Sequence, residues 1–246
     1  MPVFFVPSQC ITPPTISITG DLLSHLRDSL RVNIDASLWF GNGQSTRYHA
    51  EITDVSKRAA IGRILETVQE PLRRTPRLIL GQSLLKGEKM DWVIQKATEL
   101  GVAELVPIES RHSVVQLKAD RVDHQLARWQ RIALEAAQQS EQWRVPTIAP
   151  PQHLAALLTA CATGTITLML AERREGKSLQ SVELPQDATS SLLVLIGPEG
   201  GWSQEEMQMA EQAGVQSITL GQQILRAETA AIATISILQS RLGGLG

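Results

Sequence analysis

Leu193-Val194-Leu195-Ile196-Gly197-Pro198-Glu199-Gly200-Gly201-Trp202-Ser203-Gln204-Glu205-Glu206 is the stretch whose reading decides the fold. Four apolar residues in a row suit a strand buried on both faces, and the glycines end it abruptly. Ser203 and Glu206 then make an S-x-x-E capping box, in which each side chain satisfies a free backbone donor at a helix start. Strand, glycine loop, helix is a ligand-binding arrangement in parallel sheets. Ligands lie at the carboxyl ends of the strands, and glycine lets backbone groups approach them closely. The same glycines would serve a tight turn that needs positive φ.

The flanking sequence repeats the alternation of strand and helix. Upstream, Arg77-Leu78-Ile79-Leu80, Glu104 to Ile108 and Thr165 to Ala171 read as strands. Met90, Val93, Ile94, Ala97 and Leu100 follow helical spacing, with Gly101 placed for a left-handed C-cap, and Val122, Leu126, Trp129, Ala133 and Ala136 mark a long helix. Downstream, Gly214 ends the capped helix, Ser217 to Leu220 is a short strand, and Ile232, Ile235, Leu238 and Leu242 carry a final amphipathic helix. This pattern predicts an α/β domain with a mainly parallel sheet.

Residues before about 70 have a different texture. Val3-Phe4-Phe5-Val6 and Ser37-Leu38-Trp39-Phe40 are compact apolar runs, and Gly41-Asn42-Gly43 signals a turn into Tyr48 to Ile52. Leu22, Leu23, Leu26 and Leu30 predict one amphipathic helix from Asp21 to Arg31. The stretch Glu66 to Pro76, with Pro71, Arg73, Arg74 and Pro76, breaks the pattern and predicts a linker. The expected division is a small β-rich domain over 1–72 and an α/β domain over 73–246.

Composition narrows the function classes. The 246 residues are 43% apolar and 20% charged, with a net charge of −2. Eight Lys and Arg against seven Asp and Glu lie in residues 1–75, and fifteen against eighteen in the rest, so neither part is a basic tail that coats nucleic acid. Any RNA contact is expected to be local and shaped. No apolar run approaches the roughly 20 residues of a membrane span, and the start lacks the pattern of a secretory signal, so a cytoplasmic location without membrane contact is expected. Cys10 and Cys161 stand alone and the five histidines have no H-E-x-x-H spacing, so neither a disulfide framework nor a metal site is expected.

The loop Gly197 to Trp202 is not G-x-G-x-x-G, and the chain has no G-x-x-x-x-G-K-[ST]. It also lies late in its domain, unlike the early glycine loop of Rossmann-type methyltransferases. Set beside Leu220-Gly221-Gln222-Gln223-Ile224-Leu225-Arg226-Ala227-Glu228-Thr229-Ala230, it resembles the bacterial 16S rRNA uracil-N3 methyltransferase family, whose segments read L-I-G-P-E-G-G and L-G-x-x-I-L-R-x-E-T-A. Gly81-Gln82, Lys86 to Met90, Ile94-Gln95-Lys96 and Glu99 to Val102 are similar to a third family segment.

The resemblance implies a SPOUT-class α/β domain with a trefoil knot, preceded by a small PUA-like β-barrel that binds RNA. It implies S-adenosylmethionine as cofactor and 16S rRNA of the small ribosomal subunit as partner, with no DNA, and a homodimer. Carried onto this chain, Leu195, Gly197, Gly200, Gly201, Leu220, Gly221, Ile224 and Leu225 are the candidate cofactor residues. Methyl transfer to uracil N3 needs loss of its proton and stabilisation of the resulting anion, so Arg226 is the candidate guanidinium and Glu199 and Glu228 the candidate carboxylates. Arg27, Arg31, Lys86, Lys89 and Arg111 are candidate RNA contacts. Each has a plainer reading: Glu228 as a helix-dipole partner, Glu199 as a turn residue, Arg226 as an ion-pair partner of Glu228. The chain departs from the family at Arg111, His112 and Gln116, where members read S-E-R-S-V-V-K, and at Gln138 and Gln142, where they read E-Q-S-x-R. Two alternatives stay open: a knotted methyltransferase acting on another RNA nucleotide, and a non-catalytic RNA-binding or assembly factor of the same fold.

Overall fold

The computed structural model describes residues 3–161, 164–171 and 176–245. The chain forms two compact units, Met1–Leu72 with Ala137–Val145, and Arg73–Ala136 with Pro146–Gly246. A single cut near residue 72 therefore does not divide it, because the chain returns to the first unit for nine residues.

In the first unit, β1 (Val3–Phe5), β2 (Ile11–Thr12), β3 (Thr15–Ile18), β4 (Ser37–Gly41), β5 (Thr46–Val55) and β6 (Ala60–Gln69) pair in the order β1-β4-β5-β6-β3-β2. All neighbours are antiparallel except β1 and β4. Two register shifts between β5 and β6 bend these long strands, so the sheet curls over Phe4, Ile16, Ile18, Phe40 and Ile52. Among the described residues no ladder joins β1 to β2, and the expected barrel is a curled sheet. At the expected turn, Asn42 Oδ1 accepts from the backbone N–H groups of Gln44, Ser45 and Thr46 at 2.9–3.0 Å, and Gly43 has φ 71°.

Two expectations fail here for local reasons. The helix from Asp21 is α1 (Gly20–Ser24) followed by one wider-wound turn, His25–Ser29, closed by Leu30 N–H on His25 O at 3.0 Å. That i→i+5 bond rotates the next side chain off the apolar face, leaving Leu30 47% exposed while Leu23 and Leu26 are buried. The predicted linker also starts too early: cross-strand pairing carries β6 to Gln69, opposite Thr46, and Glu70 N–H bonds to Ser45 O.

The returning segment supplies the first unit with specific partners. Gln138 Oε1 accepts from Phe5 N–H at 2.9 Å, Val145 N–H donates to Gly43 O at 3.1 Å, and Arg144 pairs with Glu70. The Arg47 guanidinium lies 3.9 Å above the Trp143 ring and donates to Glu141 O at 2.5 Å. The glutamine that departs from the family pattern at 138 thus has a structural task.

The second unit holds β7 (Arg77–Ser83), α2 (Lys89–Glu99), β8 (Glu104–Glu109), α3 (Val122–Gln139, its last turn in the first unit), β9 (Thr147–Ile148), β10 (Gln152–His153), α4 (Leu154–Ala160), β11 (Ile166–Leu170), β12 (Lys177–Ser178), β13 (Ser191–Ile196), α5 (Gln204–Gln212), β14 (Gln216–Thr219) and α6 (Ala227–Leu242). Its sheet is parallel throughout, in the order β10-β8-β7-β13-β11-β14-β12, with β9 beside β8. Strand alternation sends Leu193 and Leu195 to one face, where they meet Leu154 and Leu157 of α4 and Ala210 of α5. Leu192, Val194 and Ile196 face the other side and are equally buried; α6 packs there against β13 and α2. Burial on both faces explains why these strands read as continuous apolar runs.

Gly81, central in β7 between Leu195 and Val106, has no room for a side chain. A Cβ there would stand 2.6 Å from Leu195 Cδ2 and 3.0 Å from Ile108 Cδ1. Gly81→Ala is therefore expected to lower stability by about 1–3 kcal/mol through overpacking. Denaturant unfolding with an unchanged midpoint would refute this.

Candidate active site

The carboxyl ends of three neighbouring strands, β11, β13 and β14, open into one cavity of about 290 Å³. Its walls are Leu170 at the end of β11 and Ala171 after it, Ile196 at the end of β13 and residues of the loop to Trp202, Thr219 at the end of β14 and residues of the loop to Arg226, and Ala227 and Ala230 of α6. The site is mostly main chain and apolar side chain, as a parallel sheet buried on both faces requires at its strand ends.

Close packing fixes the first loop. Trp202 Nε1 donates to Leu170 O at 3.2 Å and so ties the glycine loop to the end of the adjacent strand. Gly197 lies beneath that ring, and a Cβ there would meet it at 3.2–3.4 Å. A Cβ on Gly200 would stand 3.0 Å from His112 Cβ, and His112 Nδ1 is 3.2 Å from Gly201 O, to which it donates as the Nδ1–H tautomer. Gly201 has φ 68°, so the plainer reading of this loop as a turn with left-handed geometry holds as well. Behind it the capping box of α5 is complete: Ser203 Oγ accepts from Glu206 N–H at 3.2 Å, and Ser203 N–H donates to Glu206 Oε2 at 2.8 Å. The other oxygen, Glu206 Oε1, accepts from Arg111 N–H at 3.0 Å.

Six of the eight candidate cofactor residues line the cavity: Gly197, Gly201, Leu220, Gly221, Ile224 and Leu225. Leu195 does not; it is fully buried in the core beneath α4 and α5. Gly200 faces His112 instead. Arg226 and Glu199 line the cavity, whereas Glu228 is not part of its lining. Arg226 is the N-cap of α6 and exposed, and its guanidinium has no ion pair or hydrogen bond among the described residues, which removes the expected pairing with Glu228. Trp202, Leu170 and Thr219 were not foreseen; their signal was position at or just past the end of a strand.

The expected phosphate contacts divide. Lys86 and Arg31 are exposed. Arg27 is held by Asp28 at 2.6 and 2.7 Å, and Arg111 by Glu205 at 3.1 Å. Lys89 Nζ stands 2.9 Å from Glu199 Oε1 and 3.5 Å from Glu228 Oε2, and among the described residues no hydrogen bond reaches that buried Glu228 oxygen. Partial burial pushes the Glu199 carboxyl up, but the Lys89 ammonium and the backbone N–H groups of Glu199 and Lys86 outweigh it and hold the group below the usual carboxylate range. The hydrogen bond to Glu199 in turn raises Lys89. The site thus offers, on one cavity lining, an ionised carboxylate pinned by a lysine and a guanidinium with no partner among the described residues.

Comparison with known proteins agrees with this geometry. Residues 73–239 match the family model described as an RNA methyltransferase domain, and residues 18–65 match the RNA methyltransferase PUA domain. The chain is 30% identical over 230 residues to ribosomal RNA small subunit methyltransferase E of Bacillus subtilis, covering 92% of this chain and 90% of that protein. It is 35% identical over 189 residues to the protein of the same name from Mesomycoplasma hyopneumoniae, covering 77% and 79%. Among solved structures, the Neisseria gonorrhoeae ribosomal RNA small subunit methyltransferase E bound to S-adenosyl methionine superposes with a TM-score of 0.88 at 31% identity, covering 98% of both chains. A putative methyltransferase from Legionella pneumophila, in complex with the same cofactor, gives 0.86 at 26% identity over 97% of both. With both parts matched by their family models and its strand-end cavity on a shared fold, the chain belongs to the RNA methyltransferase family that includes the ribosomal RNA small subunit methyltransferases E.

Proposed function

We propose that this protein transfers the methyl group of S-adenosylmethionine to N3 of one uridine in 16S rRNA of the small ribosomal subunit. The observation that carries the reading is the cavity at the ends of β11, β13 and β14, walled by two glycine-bearing loops, with the Arg226 guanidinium on its lining and without a partner among the described residues. The walls fit the cofactor: Leu220, Ile224, Leu225 and Trp202 offer apolar surface to a nucleoside, and main-chain groups of the Gly197 and Gly221 loops offer hydrogen bonds. Bound there, S-adenosylmethionine supplies a methyl group on a positively charged sulfur and departs as a neutral thioether.

The chain's own part is to make N3 nucleophilic. The N3 proton must leave, and the charge that remains spreads onto the uracil oxygens, where the Arg226 guanidinium stabilises it. Glu199, on the cavity lining, is the carboxylate at hand to take the proton, and Glu228, which meets the same lysine, is the second candidate. No covalent enzyme intermediate is needed. The first unit supplies RNA contacts as a PUA-like domain, and the modest charge of the surface suits a shaped ribonucleoprotein target. The trefoil knot, the homodimer and the cytoplasmic location implied by the sequence resemblance belong to this reading.

Labelled S-adenosylmethionine incubated with small subunits lacking the modification is expected to place label on N3 of a single uridine, read by mapping the modified base. Label on transfer RNA or the large subunit alone would overturn the substrate. Arg226→Ala is expected to reduce transfer by about 10²-fold or more with little change in unfolding midpoint, since the side chain is exposed and meets no partner among the described residues. Turnover at the wild-type level would remove Arg226 from the reaction.

A further inference from the structure

Lys89 opens α2, two residues after Gly87, whose φ is 65°. The two carboxylates it meets come from separate segments: Glu199 from the glycine loop after β13, and Glu228 from the first turn of α6, just past the loop after β14. Those two loops supply most of the cavity wall. Among the described residues, no other cation lies within ion-pair distance of either carboxylate.

We infer that Lys89 is a positioning residue, which pins the glycine loop and the first turn of α6 to the start of α2 and so holds the cofactor cavity in shape before anything binds. The inference rests on the reading of that cavity as the S-adenosylmethionine site. An ammonium has three donors and can serve two acceptors at once. With it gone, two neighbouring carboxylates face each other without compensation, and one of them, Glu228, keeps an oxygen shut off from solvent and without any hydrogen bond. Such a pair is relieved by moving one of the loops, which widens the cavity. Binding must then reorder that loop, and the cost appears as lost affinity.

The depressed Glu199 carboxyl has the same origin. Its charged form is favoured mainly by the Lys89 ammonium against the opposing effect of burial. The clamp is therefore intact at neutral pH and is lost as pH falls through a value below the ordinary glutamate pKa of about 4.3. This arrangement also displaces the expectation that Lys89 contacts a phosphate, since its ammonium is already engaged.

Steady-state kinetics of wild type, Lys89→Met, Lys89→Arg and Lys89→Met/Glu199→Gln, with calorimetric binding of S-adenosylmethionine and of small subunits, test the inference. Lys89→Met is expected to raise the cofactor KM and Kd by about tenfold or more while kcat at saturating cofactor and small-subunit affinity stay within about threefold. Lys89→Arg recovers part of the loss, and in cofactor Kd Glu199→Gln adds little to Lys89→Met because the contact is already absent. An unchanged cofactor Kd in Lys89→Met overturns the inference, as does a loss of small-subunit affinity with cofactor binding intact. Wild-type protein that binds no S-adenosylmethionine overturns the functional reading and the inference with it. If Lys89→Met does not fold, Glu199→Gln removes the other end of the same contact and is expected to raise the calorimetric cofactor Kd in the same way, the test there being binding alone; an unchanged Kd overturns the inference.

Discussion

A parallel sheet covered on both faces leaves a protein few places to work. In the second unit the central strands β7, β8, β11 and β13 spend most of their side chains on packing, with Leu78, Leu80, Leu105, Leu168 and Leu192 to Ile196 all buried. Only the carboxyl ends, where backbone hydrogen bonding stops and loops begin, can offer polar groups to a ligand. The cavity, Arg226 and the Lys89 clamp all gather there because the sheet forces them to. The close approach of β7, β13 and β8 at Gly81 keeps these ends in register.

The strand-end loops are also where charge is best controlled. Lys89 and Glu199 are each about one-third exposed on their side chains, so their contact is weaker than a buried pair yet less screened than a surface one. A link of this strength suits loops that must admit and release a ligand. The tighter elements stand behind it: the capping box of α5, the Trp202 indole on Leu170, and His112 on Gly201. Arg111 and His112, which depart from the family pattern, meet the second unit's own acidic residues and glycines.

Much of this was legible in sequence because it rests on local rules. The apolar run before Gly197, the S-x-x-E box at Ser203 and Glu206, and glycines at 43, 101 and 214 with φ of 71°, 77° and 76° follow from periodicity, capping and turn chemistry. The resemblance then located the two loops. What stayed hidden depends on distant residues. Nothing near Lys89 announces that carboxylates 110 and 139 positions away will meet it. The end of β6 depends on pairing with Thr46, which overrode the breaker residues after it, and Leu30 left the core because of one wide turn. The resemblance pointed to Leu195 as a cofactor residue, but strand alternation turns its side chain into the core.

The return of residues 137–145 to the first unit has a consequence for how the protein is made. A ribosome that has released the first 72 residues has not yet supplied Gln138 for the Phe5 amide, Trp143 for the Arg47 guanidinium, or the Val145 amide for Gly43. The first unit can assemble its sheet early, but its last contacts must wait until the chain has passed the end of α3. The chain order therefore couples completion of the first unit to synthesis of the first strands and helices of the second.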